Sequence, residues 1–147
     1  MRGIMPPTFF TISIGLMLIL HFIFPIQRIL YFPFNLAGII LICSGICISI
    51  LGSNHFERKK TTVMTFDIPI VLVTDGLYKY SRNPMYLGFA LAVIGIWLLL
   101  GSLSPVFVTV IFFAVLDRYY IRFEEAVLKK AFGAEYLEYQ KQVRRWI

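Results

Sequence analysis

Four long apolar stretches dominate the sequence, and short polar or turn-forming segments separate them. They run from Phe9 to Ile26, from Phe34 to Ser53, from Met85 to Leu100 and from Leu103 to about Leu116. A helix needs roughly 20 apolar residues, within a range of about 17–25, to cross the hydrocarbon core of a bilayer. The first two stretches reach this length, and the last two reach it with flanking residues. The pattern therefore predicts spans at about residues 9–26, 34–53, 85–100 and 103–121.

The segments between and after these stretches define the rest of the architecture. Only Gly101 and Ser102 separate the last two stretches, which predicts a tight helical hairpin. Helical periodicity continues after the fourth stretch to Gly133, and an amphipathic stretch over residues 134–143 follows, whose mixed aromatic and charged residues suit the membrane interface. Because the apolar runs are continuous rather than alternating, a β-barrel is disfavoured.

We therefore predict one all-α domain over residues 1–147, a polytopic membrane bundle with a C-terminal amphipathic helix at the cytoplasmic face. The first stretch is expected to stay in the protein, because no small-residue cleavage site follows it. Pro69 and the Asp75-Gly76 turn signal predict a structured connection between the second and third spans. Whether residues 54–73 hold a further helix is left open.

The composition fits this architecture and excludes two other classes. Hydrophobic residues make up 59% of the chain and charged residues 15%, against roughly 25% charged in soluble domains. This excludes a typical soluble enzyme, and the high hydrophobicity excludes disorder. The net charge is +6, but the basic residues lie between apolar runs, which favours a membrane surface over nucleic acid as the anionic partner.

The distribution of charge predicts the orientation. With four spans, every Lys and Arg except Arg28 falls on the same side as the two termini, and so do all acidic residues. The positive-inside rule makes that side cytoplasmic. We expect an integral, multi-pass protein, of a bacterial inner membrane, with both termini in the cytoplasm and its ionisable groups at the cytoplasmic face.

Two clusters of residues could carry chemistry. In the first, Asn83 and Pro84 are placed to cap and start the third span, and a helix N-terminus offers N–H groups to a carboxylate or phosphate. The alternative is an ordinary capped helix with an interfacial belt formed by Tyr78, Tyr80 and Tyr86.

The second cluster follows the fourth span. Spacings of i, i+4 and i+7 put Arg118, Arg122 and Glu125 on one helical face, beside a stripe with Asp117 and Glu124. Ionisable groups at the edge of hydrocarbon are costly and often functional. The alternative is a solvated surface with snorkelling arginines.

No metal site is predicted. Cys43 and Cys47 lie one helical turn apart inside an apolar run, and neither His21 nor His55 has partners at ligand spacing. We interpret His21 as a helix-packing hydrogen bonder.

Together the two clusters resemble the isoprenylcysteine carboxyl methyltransferase family, which is related to the phospholipid N-methyltransferases. The family block of tyrosines, Arg, His, Pro and Gly corresponds to Gly76-Leu-Tyr78-Lys-Tyr80-Ser-Arg82-Asn83-Pro84-Met-Tyr86-Leu-Gly88. The family's paired Glu corresponds to Glu124-Glu125, and its tail to Phe132-Gly133-Ala-Glu-Tyr136-Leu-Glu-Tyr139. The resemblance covers about residues 70–145. Asn83 replaces the family's His, so this side chain can hydrogen-bond but cannot carry a proton.

The resemblance implies S-adenosylmethionine as methyl donor and a hydrophobic lipid or prenylated acceptor, with no metal and no nucleic acid. The donor site it implies lies within residues 70–88 and 117–145 and consists of Tyr78, Arg82, Asn83, Pro84, Tyr86, Gly88, Glu124 and Glu125. The carboxylates of Glu124 and Glu125 are expected to satisfy the cationic groups of the donor, and Arg82 its carboxylate. The candidate catalytic residues are Arg118 and Arg122, which would orient the acceptor, and Glu125.

Carboxyl O-methylation is the first functional hypothesis, and three alternatives remain. These are N-methylation of an amino-phospholipid, a non-catalytic membrane scaffold, and a reductase of the sterol-reductase type with a nicotinamide cofactor. Binding of S-adenosylmethionine separates the methyltransferases from the other two classes.

Overall fold

The computed structural model describes residues 3–59 and 69–147, and these residues fold into five α-helices. The helices are α1 (Pro6–Ile23), α2 (Ala37–Arg58), α3 (Pro84–Leu100), α4 (Val106–Val115) and α5 (Arg122–Gln142). Short 3₁₀ turns, Phe34–Leu36 and Gly76–Lys79, precede α2 and α3, and a π-helical turn, Leu116–Ile121, joins α4 to α5. The described residues contain an isolated bridge between Arg28 and Ser102 but no strand, so the all-α prediction is confirmed.

The ends of the helices follow local sequence signals. Pro6 and Pro84 each occupy the first turn of a helix, where the missing N–H of proline costs nothing. The helix α2 continues to Arg58, beyond the predicted end at Ser53, because a helix can extend into the polar region after its apolar run stops. Residues 54–58 therefore belong to α2, whereas the part of the predicted connection over residues 60–68 lies outside the described residues.

Among the described residues, two helical segments are long and apolar enough to cross a membrane, Pro6–Ile23 and Phe34–Arg58. The helix α3 is apolar but has only 17 residues. Many large apolar side chains on α1 and α2 are exposed, including Leu16, Ile19, Ile40 and Ile50. An apolar surface of this extent suits lipid rather than water.

The helices α2 and α3 meet along a seam of glycines. Gly38 and Gly45 of α2 face Gly95 and Gly88 of α3, and a Cβ at Gly95 would lie 2.6 Å from the Gly38 carbonyl oxygen. The backbones are therefore in direct contact, a packing typical of membrane helices with small residues at the interface. We call these four residues the glycine seam.

The other side of α3 packs against α1 and α4 through aromatic side chains. Phe9 stacks on Phe112 with ring centroids 5.2 Å apart, and Phe10 stacks on Phe89 at 5.0 Å. The buried core continues through the π-helical turn to Tyr86 at the start of α3. The core therefore supports both the start of α3 and the π-helical turn that follows α4.

The predicted helical hairpin is formed by α3 and α4, although its connection is longer than two residues. Gly101 ends α3 with a φ of 70°, the left-handed conformation that glycine adopts without strain, and α4 begins at Val106. His21 Nδ1 lies 2.7 Å from Ser102 Oγ, so α1 is tied to this connection as the packing interpretation of His21 predicted.

Candidate functional site

Residues from both clusters singled out in the sequence line one cavity, although more than thirty residues separate the clusters. Tyr78, Arg82, Asn83 and Tyr86 contribute from the segment before and at the start of α3, and Glu124 contributes from α5. Among the described residues, the other polar side chains in its lining are Tyr136 and Tyr139, and apolar residues such as Phe56 and Leu128 also line it. We call it the α3–α5 cavity, and its volume is about 60 Å³.

A break in α5 brings the two tyrosines of the C-terminal part into this cavity. Gly133 has a φ of 53° and a ψ of −120°, and a Cβ there would meet nothing within 4 Å. The glycine is therefore required by its backbone conformation rather than by lack of space. Beyond it, Tyr136 and Tyr139 are buried, and Tyr139 Oη donates to the Tyr78 carbonyl oxygen at 2.6 Å. The interruption predicted at Gly133 is confirmed.

The last residues of the chain, 143–147, form a strap across the segment that precedes α3. The Arg82 amide donates to the Arg144 carbonyl oxygen at 3.0 Å, and Asn83 Nδ2 donates to the Arg145 carbonyl oxygen at 3.0 Å. Ser81 Oγ donates to the same oxygen at 3.3 Å. The strap therefore holds the backbone of Arg82 in position.

Asn83 differs from its expected role as a helix cap. It occupies the N-cap position of α3, but its side chain forms no capping hydrogen bond. The amide instead bonds the strap, and the Asn83 N–H is satisfied by Ser81 Oγ at 3.1 Å. Position 83 thus donates a hydrogen bond to the Arg145 carbonyl oxygen of the strap, and asparagine does so without a titratable group.

A buried ion-pair network lies beside the cavity, centred on Glu125. Its side chain is 10% exposed and binds Arg145 through two hydrogen bonds, Nη2 to Oε2 at 2.7 Å and Nε to Oε1 at 3.1 Å. Arg82 Nη1 lies 3.1 Å from Glu125 Oε1, and Arg145 Nη1 donates to Asp117 at 3.0 Å. Hydrogen bonds from Glu125 and then Asp117 raise the pKa of Arg145, against the effect of burial. Two arginines thus balance two carboxylates, and Glu125 holds Arg82 and Arg145 in place.

Glu124 faces the cavity itself. Its Oε1 accepts a hydrogen bond from Tyr86 Oη at 2.5 Å, and Tyr86 is almost fully buried. A short hydrogen bond from a phenol to a carboxylate is charge-assisted and holds the acceptor in position. Tyr86 therefore orients the Glu124 carboxylate at the cavity wall.

Two lining residues carry buried donors that lack partners. Tyr78 Oη and Arg82 Nε form no hydrogen bond, whereas Arg82 Nη1 is ion-paired with Glu125 Oε1 at 3.1 Å. Burial first, and then the charges of Glu124 and Tyr139, raise the pKa of Tyr78, so its hydroxyl stays protonated. Buried polar groups are nearly always satisfied in proteins. These atoms therefore fit a ligand with acceptor oxygens.

The remaining predicted site residues lie elsewhere. Pro84 begins α3, and Gly88 lies in the glycine seam, where a Cβ would collide with Ser49 and Gly45. Arg118 and Arg122 are exposed and are absent from the described cavity lining, with 73% of the Arg118 side chain accessible.

The expectation that Arg118 and Arg122 share a face with Glu125 is wrong, because Glu125 is buried and both arginines are exposed. The π-helical turn Leu116–Ile121 interrupts the α-helical register on which the spacing argument relied. Whether either arginine acts in catalysis stays a prediction.

Sequence reasoning did not identify Arg145. The residue lies beyond the last helix, in a segment with no helical periodicity. No sequence pattern distinguishes the Arg144-Arg145 pair before Trp146 from other basic residues. Within residues 3–59 and 69–147, no group of three or more His, Cys, Asp or Glu side chains could hold a metal ion.

Comparisons with known proteins find related sequences and a related structure. Residues 34–135 match the family described as phospholipid methyltransferase. The protein-S-isoprenylcysteine O-methyltransferase of Saccharomyces cerevisiae is 36% identical over 140 residues, which cover 86% of this chain and 56% of the yeast protein. That of Schizosaccharomyces pombe is 41% identical over 76 residues, or 50% of this chain and 31% of the relative.

Among solved structures, the eukaryotic intramembrane Ras methyltransferase ICMT (isoprenylcysteine carboxyl methyltransferase) superposes with a TM-score of 0.59 and 28% identity. The superposition covers 94% of this chain and 51% of that one. The chain thus spans about half of that structure, 56% of the Saccharomyces cerevisiae protein and 31% of the Schizosaccharomyces pombe protein.

Proposed function

The chain belongs to the phospholipid methyltransferase family, and from that premise we propose that it transfers a methyl group from S-adenosylmethionine to the carboxyl group of an isoprenylcysteine-like acceptor. The resemblance of the chain to the isoprenylcysteine methyltransferases is confirmed by the relatives of that name. The observation that carries the proposal is the pair of unsatisfied buried donors, on Tyr78 and Arg82, in a cavity that also holds the Glu124 carboxylate.

The charges around the α3–α5 cavity suit this donor. S-Adenosylmethionine supplies an electrophilic methyl group on a sulfonium, and it also carries a carboxylate and an ammonium. Arg82 and Tyr78 offer donors to a carboxylate, and Glu124 offers an acceptor to a cation. Glu125 is engaged by Arg82 and Arg145, so we propose that it supports donor binding by holding Arg82. A volume of about 60 Å³ holds only a few water molecules, so the lining side chains must move apart to admit a nucleoside.

The proposed reaction needs positioning more than proton transfer. An acceptor carboxyl group, with a reference pKa near 4, is already ionised and nucleophilic at pH 7. Orienting it in line with the methyl group can supply about 7–11 kcal/mol of the barrier. The absence of a proton carrier at Asn83 is compatible with this chemistry.

N-Methylation of an amino-phospholipid is the second candidate, because the family that matches is named for phospholipid methylation. An amine must lose a proton during methyl transfer, and among the described lining residues Glu124 is the carboxylate that could accept it.

The proposed setting is a multi-pass protein with four spans, over about residues 9–26, 34–53, 85–100 and 103–121. Both termini and the α3–α5 cavity would face the cytoplasm, in a bacterial inner membrane. The polar donor would then arrive from the cytoplasm and the hydrophobic acceptor from the bilayer.

Product analysis tests the function directly. Membranes containing the protein are incubated with methyl-labelled S-adenosylmethionine, and lipids and proteins are extracted and treated with base. We expect labelled product that base releases as methanol, as an ester requires. Label that resists base would contradict O-methylation and support N-methylation, the second candidate. Labelling no higher than in membranes without the protein would refute both candidates.

Replacing Tyr78 with Phe is expected to have opposite effects on the free protein and on its complex. Removing the unsatisfied hydroxyl should stabilise the free protein by about 1 kcal/mol, since the hydroxyl loses its hydration on burial and gains no partner. Affinity for S-adenosylmethionine should fall about fivefold to tenfold. Thermal unfolding in detergent and equilibrium dialysis measure the two effects.

Tyr139→Phe is the matched control, because the Tyr139 hydroxyl donates to the Tyr78 carbonyl oxygen. This variant should lose about 1 kcal/mol of stability. Equal losses of stability in the two variants would contradict the assignment of Tyr78 Oη as a ligand donor.

Arg118→Ala is expected to lower kcat about tenfold and to change donor affinity less than twofold. The Arg118 guanidinium is exposed and absent from the described cavity lining, so its proposed role is to orient the acceptor. Kinetics with varied donor and acceptor separate the two effects, and Lys129→Ala, at another exposed cation, serves as control. Equal losses of kcat and donor affinity would count against that role.

A further inference from the structure

We propose that a second pocket, at the C-terminal end of α2, binds the phosphate of an anionic phospholipid. Asn54, His55 and Arg58 of α2 line one side of it, and Lys79 and Tyr80 of the segment before α3 line the other. Its volume is about 470 Å³, much larger than the α3–α5 cavity, and the two have no described lining residue in common. We call it the basic pocket.

The charges of the basic pocket favour an anion. Arg58 and Lys79 form no ion pair or side-chain hydrogen bond among the described residues, whereas Lys59 is paired with Asp75 at 2.8 Å. No carboxylate belongs to the part of the lining that the structure describes. Asp75 lies beside the pocket, and its charge is taken up by Lys59 and by His55 Nε2 at 2.8 Å. Two uncompensated cations therefore face the same space.

The wall of the basic pocket is held in position by its own contacts. Gly76 begins the turn with a φ of 62°, and a Cβ there would lie 3.1 Å from the His55 ring. The Tyr78 ring, in the same turn, packs against Phe56 with centroids 5.1 Å apart. The Gly76–Lys79 turn is thus fixed to α2, which keeps Lys79 opposite Arg58 before any ligand binds.

The surroundings point to a lipid rather than to free phosphate. Leu51 lines the pocket and is 52% exposed, and its neighbour Ile50 and Ile46, about one turn earlier in α2, are also about half exposed. Since α2 is long and apolar enough to cross a bilayer and the pocket lies at its end, acyl chains can follow this surface while the phosphate reaches Arg58 and Lys79. Basic pockets at the cytoplasmic side of membrane helices bind lipid head groups in this way.

Lipid titration of the full chain tests the basic pocket without depending on methyl transfer. The delipidated protein in neutral detergent is titrated with dioleoylphosphatidylglycerol, dioleoylphosphatidylcholine or inorganic phosphate, and binding is read by thermophoresis. Phosphatidylglycerol should bind at least tenfold more tightly than either of the other two ligands. The double variant R58Q/K79Q should weaken it about tenfold to thirtyfold, because each basic side chain adds to the attraction for an anionic lipid.

Two further variants make the result specific. K129Q/K130Q removes the same charge from exposed positions on α5 and should change the affinity less than twofold, and R58K/K79R keeps both charges and should bind like the original protein. Equal weakening by K129Q/K130Q and R58Q/K79Q would overturn the proposal in favour of general electrostatics. Equal affinity for phosphatidylcholine would overturn it too, as would competition by inorganic phosphate at the concentration of the lipid.

Discussion

Glu125→Ala is expected to lower the free energy of unfolding by about 3–5 kcal/mol and to weaken S-adenosylmethionine binding at least a hundredfold. The Glu125 carboxylate is 10% exposed and lies against Arg82 and Arg145. Its removal leaves two cations in a poorly hydrated place, and breaking a buried pair in this way costs about 3–5 kcal/mol. Arg82 also loses the contact that holds it beside the α3–α5 cavity.

The matched control for Glu125→Ala is Glu138→Ala, on the same helix. Glu138 pairs with Lys141 at 3.1 Å, but the two side chains are 59% and 75% exposed, so the loss should stay below about 1 kcal/mol. Chemical unfolding in detergent gives both values, and donor binding is measured at a temperature where both variants remain folded. Similar stabilities for the two variants would contradict the buried network.

The role of Arg145 can be separated from that of Glu125 by a double-mutant cycle. If the two residues act as a pair, Glu125→Ala should lower the free energy of unfolding much less in a protein that already carries Arg145→Ala than in the original protein. The reason is that each single variant already breaks the bidentate contact. Additive losses of stability would mean that Glu125 is held mainly by Arg82.

The helices could be predicted because their signals are local. Long apolar runs identify α1, α2 and α3, and the prolines and glycines at the ends of the runs mark where helices begin or end. Pro84 at the start of α3, Gly101 at its end and Gly133 within α5 all act as the sequence indicated. Each depends on one residue's backbone preference rather than on tertiary contacts.

The predictions that failed required knowledge of tertiary packing. A periodicity argument assumes 3.6 residues per turn, and the π-helical turn Leu116–Ile121 changes the register between Arg118 and Glu125. Nothing in the identity of these six residues marks a π-helix, which forms here where Leu116 and Ile121 are packed into the buried core. The extension of α2 to Arg58 was missed because apolar length measures the hydrocarbon span and not the helix.

Some features of the candidate site could likewise be predicted from the sequence, and others depended on tertiary packing. The resemblance brought together the segment before α3 and the two glutamates, and the α3–α5 cavity is lined by residues from both. The resemblance did not identify the strap, because the Arg145 side chain reaches Glu125 from a non-helical chain end. As a result, Glu125 was expected to face the donor, whereas the structure pairs it with two arginines.

The glycine seam is the structural condition for this arrangement, because it sets the distance between α2 and the start of α3. Gly45→Ala is expected to destabilise the protein by about 3 kcal/mol or more. The new Cβ would collide with the Gly88 carbonyl oxygen and lie 2.8 Å from the Ala92 nitrogen, both of which belong to the backbone of α3. Backbone atoms cannot rotate away as a side chain can, so the two helices must separate, and overpacking alone typically costs about 1–3 kcal/mol.

Replacing Gly15 with Ala should stabilise the protein, which is the opposite of the effect expected for Gly45→Ala. Gly15 lies within α1, and a Cβ there would meet nothing within 4 Å, so Gly15→Ala gains helix propensity of up to about 1 kcal/mol without a clash. Thermal unfolding of both variants in one detergent measures the difference. Because the Ser49 hydroxyl donates to the Met85 carbonyl oxygen across the seam, a shift of α2 also disturbs the residue next to Tyr86, and Gly45→Ala should weaken donor binding where Gly15→Ala does not. If both variants were equally stable, the close backbone contact between α2 and α3 would be wrong, and with it the position of Tyr86 opposite Glu124.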